Sequence, residues 1–329
     1  MGEIDLTSIE IDILIDLATK NKVSPSMYPE LFCKFSKNLS LFLPEKIKNT
    51  LYHFSISNHT NETPYLLFRN ILPHIDIESI KKTPEDIHQH IGETTLLSKI
   101  QSILLSYLGE MISYEAEGDG YLFQDIIPVM NMSGLQTSIG SNTELEIHTE
   151  QAFSPLRPDI LCLACLKTDE NALTYFLPIS VLLSHLSTYE IDLLWKPLWY
   201  IGIDLSFKIN GKKDEKKGPI SILRSKNEET RDNDNIYLVF DQDLMTGIHE
   251  EAQQMIIKIT EIYYKYRIAY CLQPGDILLL DNRYVVHGRS SFSPKFDGND
   301  RFLIRSFAVL DYEKSEYARK DRMVMAKYS

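Results

Sequence analysis

Cysteine is scarce. The four in 329 residues (33, 162, 165 and 271) are too few for a disulfide scaffold, so a reducing cytoplasm is the expected setting. Positive charge is scarce too: Lys and Arg number 34 against 46 Asp and Glu, a formal net charge of −12. That imbalance argues against a nucleic-acid or anionic-membrane partner and does not oppose a small cationic one. Long apolar runs are missing, and none approaches the ~18 residues of a membrane span. The N-terminal stretch has no basic leader, and Asp12 and Asp16 interrupt its apolar positions, so it does not read as a signal peptide. The opening Met-Gly lacks the Ser or Thr of a myristoylation motif, with Leu6 in its place. Hydrophobic residues at 43% and charged residues at 24% exclude a disordered chain.

Without a repeat or a clean linker, the chain reads as a single domain with three parts: a mostly helical part over 1–117, a strand-rich core over 118–311 and a tail over 312–329. Thr7 and Glu10 form a capping box ahead of apolar positions at helical spacing. Pro44 suits the first turn of a helix through Leu51, and Leu97, Ile100, Leu104, Leu108 and Met111 predict a long helix over 94–112. TPYLLFRNIL reads as a strand. After Gly118-Asp119-Gly120, short apolar or alternating runs follow one another with turn residues between them, as in a β-sandwich or barrel. Helices near 179–194 and 247–267 interrupt them. The charged GKKDEKKGP reads as an exposed loop or lid.

Cys162 and Cys165 stand three apart in DILCLACLK, a predicted buried strand, so they point to opposite faces. With no second pair for a zinc cage, they read as core residues. His88 and His90 lie in the polar PEDIHQHIGE and read as solvated. A different pattern carries chemistry. In ELEIHTEQAF, His148 and Glu150 are two apart on a predicted strand and share a face. His287 closes a second predicted strand in PGDILLLDNRYVVHGR. Two imidazoles and one carboxylate can hold one face of Fe(II) and leave the other positions open for a co-substrate and dioxygen. Arg301 follows His287 by fourteen residues, with Arg305 on the same strand face. A guanidinium there can clamp the distal carboxylate of an iron-chelating keto acid, with the Thr174 hydroxyl beside it. A surface ion pair of Arg301 with Asp297 or Asp300 is equally compatible with the spacing.

The runs HTE-x-AF-x-P-x-RPD and DN-x(4)-HGR-x-x-FSP-x-x-DG-x-DR, with LFQDIIPV and NIYLVFDQDLMTG, resemble the clavaminate synthase-like Fe(II)/2-oxoglutarate oxygenases. That branch includes hydroxylases of free arginine, asparagine and lysine. The resemblance spans most of 118–311. It implies a mainly β fold with α: a double-stranded β-helix, or jelly roll, with a helical N-terminal region and inserted helices. It implies iron on His148, Glu150 and His287 and 2-oxoglutarate on Arg301 and Thr174. Arg305 matches the family's arginine for the substrate carboxylate, and Ser138 and Gln124 fall at or near positions for the substrate's amino-acid end. Glu150 favours oxygenation, since related halogenases replace this carboxylate with a small residue. The cofactors implied are Fe(II), 2-oxoglutarate and dioxygen.

Asp241 and Asp243 in FDQDLMTG are two apart on a predicted strand end, and paired carboxylates at a site mouth call for a bridging cation. The alternative is a turn whose aspartates cap the helix after Gly247. The resemblance places this pair over the substrate's side-chain end, with Glu150 and Arg305 near its head. The expected reaction is hydroxylation at the β or γ carbon of a free L-amino acid, with arginine first, lysine next and asparagine third. Desaturation or ring closure by the same cofactors is an alternative, and a metal-binding jelly roll without turnover is the remote one.

Overall fold

The strand Ile160–Lys167 sends Leu161, Leu163 and Cys165 into one core and Ile160, Cys162, Ala164 and Leu166 into another. Phe302–Val309 does the same, with Leu303 and Phe307 on one side and Phe302, Ile304 and Ala308 on the other. Unbroken apolar runs therefore mark strands buried on both faces. Cys162 and Cys165 do point to opposite faces, and burial raises both thiol pKa values.

The computed structural model describes residues 2–328 apart from 57, 59, 61–62, 72–81, 205–206, 208–215 and 226–235. The two strands pair in the middle of a larger sheet with Tyr65–Phe68, Ile277–Asp281 and Glu110–Tyr114. A four-stranded sheet runs in the order Ile268–Tyr270, Thr174–Pro178, Val285–Arg289, Leu145–His148. The facing sheets make a jelly roll, and its interior is the first core. The second core lies between the outer face of the larger sheet and the N-terminal helices Ser8–Lys20, Pro29–Ser40, Glu45–Ser55 and Leu96–Leu108.

The Thr7 capping box forms: the Thr7 N–H donates to the Glu10 carboxylate at 2.8 Å, and the Glu10 N–H to Thr7 Oγ1 at 3.3 Å. Pro44 immediately precedes its helix. The helix expected over 94–112 is shorter. It ends at Leu108, the chain turns at Gly109, and Glu110–Tyr114 is a strand paired antiparallel with Phe302–Val309. Met111 kept the helical period by coincidence, and sheet pairing overrode it. The N-terminal part thus supplies strands to the sheet, and the tail adds Met323–Val324 alongside Glu110–Tyr114. Helices Ile179–Ser184 and Thr188–Leu194 replace the one expected near 179–194. Most of GKKDEKKGP lies outside the described residues, and Lys217–Ile220 at its end is a strand. No helix among the described residues is long and apolar enough to cross a membrane.

Candidate active site

His148 and His287 are cross-strand partners on neighbouring strands, with ring centroids 4.3 Å apart. Glycine at 288 permits this approach: a Cβ there would lie 2.6 Å from the Leu145 carbonyl oxygen. His287 lies in mid-strand on Val285–Arg289, one hairpin after the Pro-Gly turn, rather than closing the strand that follows it. Glu150 is not on a strand either. The strand ends at His148 and Glu150 sits in the following turn. Asn282 holds that turn, its Oδ1 accepting the Glu150 N–H at 2.6 Å and its Nδ2 donating to the Glu150 and Pro158 carbonyls at 3.1 and 2.8 Å. Glu150 Oε2 then stands 3.5 Å from His287 Nε2.

One ligand atom from each of His148, Glu150 and His287 lies within 4.8 Å of the other two. Two nitrogens and a carboxylate oxygen with an open side suit Fe(II). The His148 Nδ1–H donates to the Glu146 carbonyl at 2.8 Å, which fixes the ring and leaves Nε2 free as a ligand. Burial, reinforced by His287, lowers the His148 pKa and keeps the imidazole neutral. Burial alone would raise Glu150, but Arg305 and His287 outweigh it and hold its pKa at about 2.

Arg301 is 6% exposed, so it is not the surface ion pair with Asp297 or Asp300. Its guanidinium forms no hydrogen bond or salt bridge among the described residues, and burial lowers its pKa to about 10. Thr174 is also buried, and its Oγ1 has no hydrogen-bond partner. Thr174 pairs across from Arg289, two residues from the Phe176–His287 pair, so its side chain shares a face with His287. An unpartnered buried cation and an unpartnered buried hydroxyl fit an anionic co-substrate.

Arg305 is the opposite case. Its Nε and Nη2 donate to Gln124 Oε1 at 2.9 and 2.6 Å, Nη1 donates to Glu150 Oε1 at 3.2 Å, and Nη2 also contacts Glu117. Gln124 Nε2 is left buried without a partner. A cavity of about 420 Å³ opens beside these groups and the residues His148 and Glu150, with Ser138, Asp241 and Asp243 on its wall. Eight carboxylates line it against a single arginine. Burial raises Glu117 to about 7 against the pull of Arg305, Asp241 to about 7 against His148 and the Leu244 N–H, and Asp125 to about 6.

Asp241 and Asp243 do not share a strand end. Asp241 makes an isolated bridge to His148 and accepts the Leu244 N–H at 2.8 Å, while Asp243 is an exposed turn residue. Nor do they cap the next helix, Glu250–Tyr266, whose cap is the His249 side chain. Both still reach the cavity. No motif marks Glu117, which sits in a loop 31 residues before His148. Asn282 was legible only as part of the DN-x(4)-HGR run. His88 and His90 are not merely solvated: both meet Asp119 at the cavity rim.

Residues 207–307 match the family described as taurine catabolism dioxygenase TauD, TfdA family. The chain is 42% identical to an L-lysine 3-hydroxylase of Catenulispora acidiphila, over 91% of this chain and 82% of that protein. The chain belongs to the clavaminate synthase-like Fe(II)/2-oxoglutarate oxygenases. This oxygenase is also 27% identical to clavaminate synthase 2 of Streptomyces clavuligerus, over 91% of this chain and 90% of that one. Its fold superimposes on asparagine oxygenase in complex with Fe(II), 3-hydroxyasparagine and succinate, with a TM-score of 0.86, 25% identity and 99% of each chain covered.

Proposed function

We propose that this oxygenase hydroxylates free L-lysine at its β carbon, C3. The observation that carries a basic substrate is the cavity wall, with eight carboxylates to one arginine. A side-chain ammonium beside Asp241 and Asp243 relieves their mutual repulsion and the cost of their burial. The L-lysine 3-hydroxylase relative supports lysine ahead of arginine, the reverse of the order drawn from the sequence.

His148, Glu150 and His287 are the residues that hold the iron, and Arg301 with Thr174 grips the distal carboxylate of 2-oxoglutarate. Bound iron, 2-oxoglutarate and dioxygen together supply the oxidising power to insert one oxygen atom into an unactivated C–H bond, with succinate and carbon dioxide as co-products. The chain supplies position. Arg305 exchanges part of its carboxylate contacts for the substrate carboxylate, and Glu117 with Glu150 faces the α-ammonium. Gln124 Nε2 and the Ser138 hydroxyl are further donors for the same end. Anchoring the head beside Glu150 brings C3 nearer the metal ligands than the distant carbons. The four unpaired thiols, three of them buried, suit work in the cytoplasm.

Succinate release should be measured with iron, 2-oxoglutarate and each of the twenty amino acids, and the product located by mass spectrometry and NMR. Lysine gaining one oxygen at C3 is the expected result. Turnover of a neutral amino acid, with none of lysine or arginine, overturns the substrate. A product two hydrogens lighter moves the reaction to desaturation or ring closure.

A further inference from the structure

We propose a second divalent-metal site at the rim of the cavity, built from His88, His90 and Asp119, for a first-row cation of the zinc, nickel or copper class. The inference is independent of the substrate reading. His90 Nε2 lies 3.1 Å from Asp119 Oδ2, and His88 Nδ1 lies 2.5 Å from the same oxygen. One ligand atom from each residue falls within 4.8 Å of the other two, the same convergence as in the inner cluster. A tetrahedral cation with bonds of about 2.0–2.2 Å to nitrogen and oxygen would require only small movements to sit among them, with a fourth position left for water. Imidazole nitrogens select this class over magnesium or calcium, which prefer all-oxygen sites.

The backbone is shaped to make the three groups meet. Asp86 caps the single turn Ile87–Gln89 by accepting the His88 N–H at 3.0 Å. The turn ends with His90 at φ 49°, and Asp119 faces it at φ 55°. Both are left-handed conformations that cost a residue with a Cβ about 1 kcal/mol or more. The His90 ring is held flat against Tyr121, with centroids 3.8 Å apart and planes 13° apart, so Nε2 is aimed at Asp119. A hydrogen-bonded cluster alone needs only one histidine to meet the aspartate. Here two rings from a His-x-His pair converge on a single carboxylate oxygen.

His90 and Asp119 also line the cavity, so a bound cation would tie residues 86–92 to the 117–121 turn at its edge. The test is metal stoichiometry. The full chain, stripped by chelator and dialysed against Zn²⁺, should hold two equivalents. His88→Ala/His90→Ala should lose one and keep the other, and His148→Ala/His287→Ala should lose the other. Asp119→Asn, which preserves volume, should weaken the outer equivalent at least ~10-fold while leaving the far-UV circular dichroism unchanged. A single equivalent that disappears only with His148→Ala/His287→Ala overturns the proposal. So does a second equivalent indifferent to both the His88/His90 and Asp119 substitutions.

Discussion

Two buried arginines, Arg305 and Arg301, are kept in opposite ways: the first is already paired, the second is not. Arg305 is held by Glu117, Glu150 and Gln124 before any ligand arrives, whereas Arg301 and the Thr174 hydroxyl have no hydrogen-bond partners among the described residues. A buried unpartnered cation is expensive and persists where a ligand completes it. A paired one can be kept ready by its neighbours and must trade contacts when a ligand binds. The first arrangement suits a co-substrate that always presents the same carboxylate. The second suits a substrate that brings both signs of charge.

The His148/Glu150/His287 cluster is the most drastic place to break the site. His148→Ala or His287→Ala should lower turnover by more than ~100-fold, beyond the 10–100-fold typical of losing an outer partner of a metal ligand. Succinate release measured on a variant with unchanged circular dichroism decides this, and near-normal turnover would reject the ligand assignment.

Removing Arg301 tests the unpaired arginine. A charge-assisted bond is worth about 1.5–3 kcal/mol, so Arg301→Ala should weaken the apparent 2-oxoglutarate affinity at least ~10-fold. The KM for the amino acid should change far less. A 2-oxoglutarate titration that superimposes on wild type would leave the buried guanidinium unexplained.

On the acidic wall around Arg305, Asp241→Asn should raise the KM for lysine by roughly 3–10-fold and leave that for 2-oxoglutarate nearly unchanged. Asp243→Asn should do less, because Asp243 is exposed and its attraction is screened by solvent. Equal shifts in both KM values would mean that Asp241 acts by supporting His148 rather than by meeting the substrate.

The acidic wall also carries a cost in the free protein, read in stability rather than in turnover. Burial raises Asp125 to about 6, only partly offset by the Gly92 N–H it accepts at 2.9 Å. A carboxyl whose folded pKa is raised binds more protons folded than unfolded, so its contribution to stability falls as pH rises from about 4 to about 6. Asp125→Asn should flatten that part of the stability profile, by an amount on the order of 1–3 kcal/mol. Denaturant midpoints at pH 4, 5, 6 and 7 measure it, and identical slopes for both proteins would refute the cost.

Several features were legible because they are local or carried by a motif. The Thr7–Glu10 box, the opposite faces of Cys162 and Cys165 and the pairing of His148 with His287 depend on spacings of two to four residues or on runs of specific composition. At the edges of elements, tertiary contacts override the local pattern. Glu150 was expected on a strand, yet Asn282 holds it in a turn, and Asp243 likewise left the strand end for a turn. Glu110–Tyr114 kept a helical period and became a strand because Phe302–Val309 offered it hydrogen bonds.

By itself the sequence determined the side-chain types of the His148/Glu150/His287 cluster, the alternation that sorts two cores and the acidic balance of the whole chain, all of which follow from residue identity and short-range periodicity. Tertiary structure alone decided which charges would meet. Glu117 reaches Arg305 across 188 positions, and His90 finds Asp119 across 29. Contacts at such separations are set by how the sheets and turns pack, and no spacing in the chain encodes them. The same packing left Arg301 buried without a hydrogen-bond partner among the described residues, and only the folded chain can show which charges were left over.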